Sequence, residues 1–448
     1  MVRRSVLPLL LMLALMLASW PTLPAAAAER AQPFTEANLR ELLARNPQTG
    51  RPVDSVEELV PLLPAELRRN FTFVYDSRSP FKASITPQRP RVILFTDDAK
   101  LVLTFIGDDD KPGADLLETM SFDAEQAKFV LHSYLLPAAQ RRAWRPSAVD
   151  AKCERCHGAD PRPIFDSYPL WPGFYGSVQD TFPNDRIGRK ERKLYETFAA
   201  TTAKSGVYKD LIYPTGTPVA PFLDPRLFKD DTIELDPALG RYLPNARLGI
   251  ALTELNRARI YRKLAAGPDF AVNEKRMLAL LLECRPSDRP GRQEIRAVRH
   301  ELEGENAARL KRLGIGRGDP HKDRNDMQEL MFVRELAEID AVARLAGVDR
   351  SDWSMAREAG SLAFFDGILD GEANGKSYYL KQDFIFEMLV HLAAREPAFE
   401  KHFYAENVFA EFGYPFGNRV DLATAAGSCP LLTAPGAQAD DRVRRRGV

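Results

Sequence analysis

From Phe71 onward, apolar residues fall in short runs: Phe71–Val74, Arg91–Thr96, Lys100–Ile106, Leu116–Phe122 and Lys128–Leu136. Turn-rich pieces separate them, among them Thr96–Asp97–Asp98, Asp108–Asp109–Asp110 and Asp123–Ala124–Glu125. Short apolar or alternating runs bounded in this way predict the strands of a small antiparallel unit. Ahead of them, Thr35–Asn46 and Val56–Arg69 repeat apolar residues every three or four positions, with Thr35 and Ser55 as N-caps, and predict two helices. After Asp236 the same period recurs over Ala246–Ala266, Val272–Glu283, Arg292–Leu313, Asp326–Ala346, Tyr378–Arg395 and Ala398–Phe412. Between Pro146 and Pro225 the chain turns to loops rich in Pro, Gly and aromatics, interrupted by a polar helix near Arg186–Ser205. The expected fold class is α+β, predominantly helical: a small antiparallel β-rich N-terminal unit over 29–145, a loop-rich segment over 146–225 and a helical C-terminal domain over 226–435.

The ends add a location. Arg3 and Arg4 precede an apolar run from Val6 to Leu17, and the small residues Ala25 to Ala28 follow; this order predicts a secretory signal peptide over 1–28. The run is shorter than the roughly 20 residues a membrane helix needs, and no later stretch supplies one. A periplasmic protein with no stable membrane span after cleavage is expected. Lys plus Arg number 62 and Asp plus Glu 62. The charges therefore cancel, and the sole basic block is Arg442, Arg444, Arg445 and Arg446, in a tail over 436–448 expected to be disordered. Nucleic acid is accordingly not an expected partner.

The residues that carry chemistry are Cys153-Glu154-Arg155-Cys156-His157, the C-x-x-C-H spacing of covalent haem attachment. On a helical turn, positions three and four apart share a face. Cys153 and Cys156 then reach the two vinyl edges of one porphyrin while His157 points at the iron. With this content of Cys and His, the pattern arises by chance in only about four of ten thousand shuffled chains. Three other chemistries use the same residues: a structural zinc site, a redox-active Cys-x-x-Cys and a plain disulfide. Zinc wants four ligands, and no second Cys-x-x-Cys exists. A thioredoxin-like site wants a helix after the pair, where Pro161, Pro163 and Pro169 stand. Cys284 and Cys429 remain as a candidate long-range bridge.

Cys153 to Gly158 resembles the haem-binding motif of the cytochrome c superfamily over those six residues. The resemblance implies one covalent haem c with His157 as the proximal iron ligand, and a role in electron transfer with a redox partner protein or a small-molecule donor or acceptor. It departs from a small cytochrome c in lacking a methionine soon after the motif; the first one downstream is Met277.

That departure leaves the sixth iron position to other residues. His132 and Met120, on neighbouring strands upstream, are candidates, as are Met327 and Met331 one turn apart and His321 in a glycine-rich loop. Each has an alternative as core filler or surface loop. His300 and His391 fall on polar helix faces, and His402 is ambiguous. The stretch after the motif, with Phe165, Tyr168, Trp171, Phe174 and Tyr175, is expected either to wall the haem pocket or to pack as an aromatic loop on the core. Arg162 within it is a candidate partner for a haem propionate. An open sixth position would instead suit a peroxidase-like or oxidase-like enzyme or a haem-based sensor. Asp108–Asp110 does not keep a calcium-loop spacing, Gly314-x-Gly316-x-Gly318 lacks the strand of a dinucleotide site, and neither Gly-x-Ser-x-Gly nor His-Glu-x-x-His occurs.

Overall fold

The computed structural model describes residues 33–76, 82–108, 111–138, 153, 157–163, 174–175, 186–213, 244–284, 289–312, 333–348, 379–400, 409–411, 418–420 and 425–433. The fold is α+β and predominantly helical. Its sheet is a meander in the order β1 (Phe71–Val74), β2 (Arg91–Phe95), β3 (Leu101–Phe105), β4 (Leu116–Asp123) and β5 (Lys128–Leu135), antiparallel throughout. These strands fall within a residue or two of the runs that predict them.

Residues of β1 are all buried and those of β2 nearly so, because both faces of this part of the sheet are covered. The register places Val74, Ile93, Phe95, Val102, Met120 and Phe129 on one face. A helix, α5, spans Pro244–Ala265, and its Leu248 and Leu252 join Val74, Ile93, Phe95, Val102, Phe129 and Phe174 in one apolar cluster. The other face presents Phe71 and Phe73, which meet Tyr213 at 5.2 Å and Phe198 at 5.1 Å between ring centroids. Phe198 belongs to α4 (Arg186–Thr201), whose buried Tyr195 lies 5.0 Å from Tyr175. α5 thus packs on one face of the sheet, and Phe198 of α4 on the other.

At the N-terminal side, α1 (Glu36–Ala44) is capped by Thr35 as the sequence predicts, with a reciprocal Thr35–Asn38 pair. The single helix expected over Val56–Arg69 is three pieces: α2 (Val56–Leu59), a 3₁₀ turn (Val60–Leu62) and α3 (Ala65–Arg69). Pro64 pushes Leu63 into an extended conformation with ψ 148°, which no α-helix accommodates.

Beyond α5 come α6 (Phe270–Leu281), α7 (Arg289–Arg312), α8 (Val333–Leu345), α9 (Tyr379–Arg395) and the short α10 (Cys429–Thr433). A disulfide joins Cys284, just past α6, to Cys429 at the start of α10, across 145 residues of sequence. The helix expected over Ala398–Phe412 is corrected at its end. Phe409–Glu411 is a strand, β6, paired antiparallel with β7 (Asn418–Val420). Gly413, Pro415 and Gly417 lie between them in sequence and are turn formers, which outweigh the helical spacing of the apolar residues before them. Among the described residues no helix is long and apolar enough to cross a membrane. The expected signal peptide and basic tail lie outside the described residues.

Candidate functional site

Cys153 and His157 are each in helical conformation, four positions apart in sequence. Cys156 lies outside the described residues. The turn ends at once: Gly158 takes φ +85°, the left-handed conformation that glycine adopts without strain. The chain then folds back on itself. The carbonyl of His157 accepts from the backbone N–H of Arg162 at 3.0 Å and from its Nη1 at 3.1 Å.

The imidazole closes the ring of contacts. His157 Nδ1 stands 2.6 Å from the carbonyl oxygen of Arg162. A carbonyl only accepts, so Nδ1 carries the proton and donates. In a neutral imidazole that leaves the lone pair on Nε2. Burial pushes the His157 pKa below its ordinary value and outweighs the Arg162 bond and the charge of Glu118, both of which favour the imidazolium. Glu118 and Arg91, an ion pair on the α5 side of the sheet, lie within electrostatic reach of the ring.

Three residues on, Asp160 is gripped by the C-terminal half of α5. Its carboxylate receives Arg259 Nη1 at 2.9 Å, Arg262 Nη2 at 3.3 Å and Lys263 Nζ at 3.1 Å. Arg259 is fully buried, and its Nε donates to Asn256. Burial would raise the Asp160 carboxyl, but Arg259 and Lys263 hold it below the usual carboxylate range. Sequence reasoning missed this clamp. Arg259, Arg262 and Lys263 share a helix face by spacing, but their common partner lies 99 residues before Arg259.

The upstream candidates for the sixth iron position separate onto opposite faces. His132 pairs in register with Thr119, on the face away from α5. There its Nδ1 lies 2.6 Å from Glu36 and its Nε2 3.2 Å from Arg40. Glu36 also accepts from Ser121 and Tyr134, each at 2.6 Å, and from Thr119 at 3.1 Å. Met120 faces α5 and packs with Ala251 and Leu255 against the apolar cluster. His132 is thus engaged by Glu36 and Arg40, and Met120 lies on the sheet face that α5 covers. His300 is exposed, and His391 is stacked on Tyr261 with ring centroids 4.1 Å apart. His321, Met327, Met331 and His402 lie outside the described residues.

Of the aromatic stretch, Phe174 and Tyr175 are each 2 % exposed and belong to the core. Phe174 bridges to Val74, and the Tyr175 N–H donates to the Phe73 carbonyl, extending the sheet beyond β1. Phe165, Tyr168 and Trp171 lie outside the described residues. Arg162 stabilises the turn through its own guanidinium.

Among the described residues, no three His, Cys, Asp or Glu side chains gather as metal ligands. A haem iron needs no such group, since the porphyrin supplies four of its donors. The chain matches no protein-family model, no curated protein and no solved structure.

Proposed function

We propose that this chain is an exported c-type cytochrome that carries one covalent haem on Cys153 and Cys156, with His157 on the iron, and acts in electron transfer. The observation that carries the reading is the bond from His157 Nδ1 to the Arg162 carbonyl. A metal-ligating histidine almost always donates its other ring N–H to a carbonyl or carboxylate, which fixes the tautomer and the ring plane. Here that donor is fixed by the same short turn that follows the two cysteines. When bound, the haem supplies a one-electron couple whose potential depends on axial ligand, burial and hydrogen bonding. The protein's share is to hold the imidazole, orient it and keep its Nδ1 proton at the Arg162 carbonyl. Export suits this chemistry, and the expected partner is a redox protein or a small-molecule donor or acceptor.

A haem enzyme or haem-based sensor with an open sixth position is the second reading. It is favoured by the engagement of His132 with Glu36 and of Met120 with the apolar cluster. An optical spectrum of the purified protein, reduced, with and without carbon monoxide, tests both. A low-spin spectrum that carbon monoxide leaves unmoved accords with electron transfer; a high-spin form that binds it readily accords with the second reading. A protein without haem bands overturns both.

A further inference from the structure

We propose that Asp160 and Arg259 are positioning residues that set the electronic environment of the iron-binding imidazole, an inference that rests on the haem reading of His157. The turn His157–Arg162 is tied to itself by three contacts: Arg162 N and Nη1 on the His157 carbonyl, and His157 Nδ1 on the Arg162 carbonyl. Those contacts tie its two ends to each other and leave its middle to be held from outside. Asp160, at the middle of the turn, is held to α5 by three cations.

The helix that holds it is itself immobilised on several sides. Leu248 and Leu252 are fully buried against the sheet, Arg257 donates to Glu387 of α9 at 2.6 Å, and Tyr261 donates to Glu274 of α6 at 3.2 Å. Arg259 is the inner member of the clamp. A guanidinium presents its donors in a rigid plane, so a carboxylate bonded to one arm while another arm bonds Asn256 is confined in direction as well as distance.

Asp160 is two residues from Arg162, whose carbonyl receives the imidazole proton. Loosening Asp160 therefore loosens that acceptor. A weaker Nδ1–H bond makes the imidazole a poorer donor to the metal, disfavours the ferric state and moves the reduction potential upward.

The test uses the full mature holoprotein and reads midpoint potential and optical spectrum, with haem content and far-UV circular dichroism as folding checks. Asp160→Asn is expected to keep its covalent haem and its fold while its midpoint moves to a more positive value, and Asp160→Glu to recover part of the shift. Arg262→Gln removes one contact at a half-exposed position where folding is not at stake; a smaller shift of the same sign is expected there. An Arg262→Gln protein, or a folded Asp160→Asn protein, with wild-type midpoint and spectrum overturns the proposal. A wild-type protein with no haem sinks the haem reading instead, so the two failures are distinguishable.

Discussion

The Nδ1 of His157 and the carbonyl oxygen of Arg162, 2.6 Å apart, close a six-residue turn through a side chain rather than through the backbone alone. The pairing assigns the imidazole tautomer, aims Nε2 away from the turn and makes the local backbone part of the site. Gly158 permits it. A Cβ at that position meets Arg162 Nη1 at 3.0 Å, and the φ of +85° strains any other residue. Gly158→Ala should cost about 1–2 kcal/mol of stability, the usual penalty of a left-handed residue with a side chain. A urea unfolding midpoint checks the cost, and reduced haem yield from the same expression culture checks its consequence for the site.

The sheet separates two residues that sequence alone treats alike. His132→Ala and Met120→Ala should leave the haem spectrum and its response to carbon monoxide unchanged, because His132 is engaged by Glu36 and Arg40 and Met120 packs against the apolar cluster. Met120→Ala should still lower stability by about 1–3 kcal/mol, as partly buried apolar truncations do. A new high-spin band in either variant would place that residue on the metal.

Much of this fold is legible in the chain because its strands are short apolar runs punctuated by Asp-rich turns, and its helices keep a steady period. Local signals also mislead locally. Pro64 breaks a helix that periodicity extends to Arg69, and Gly413, Pro415 and Gly417 accompany a hairpin where spacing suggests helix. Which face of the sheet meets α5 is a long-range matter, and so are the fates of His132 and Met120. The Cys-x-x-Cys-His spacing is local and legible, whereas the Asp160 clamp joins residues about a hundred positions apart and has no sequence signature. Cys284 and Cys429 needed three-dimensional proximity that spacing does not contain.

Glu36 makes stability depend on pH. Burial alone would raise its pKa, but hydrogen bonds from Ser121, Tyr134 and Thr119, with the charge of His132, hold it below the ordinary value. A carboxyl depressed in the folded state contributes stability that is fully present above its unfolded pKa and is lost as pH falls through the folded one. Glu36→Gln should therefore destabilise the protein by about 1–3 kcal/mol near neutral pH. The gap between wild type and variant should narrow below about pH 4. Urea titrations of both proteins across that range check the sign; a gap that widens in acid contradicts it.

The Cys284–Cys429 bridge closes a long segment of chain, and its loss should cost about 2–5 kcal/mol. The double variant Cys284→Ser/Cys429→Ser should match the reduced wild type in a denaturant titration and should retain its covalent haem, since its cysteines are distinct from those at 153 and 156.

The most direct measurement is the intact mass of the mature protein, purified under denaturing conditions from a host able to attach haem, beside its Cys153→Ser/Cys156→Ser variant. The wild-type chain should carry the added mass of one haem that survives denaturation, and the double variant should carry none. A colourless wild-type chain with no added mass, expressed and folded in that host, contradicts the account at its root.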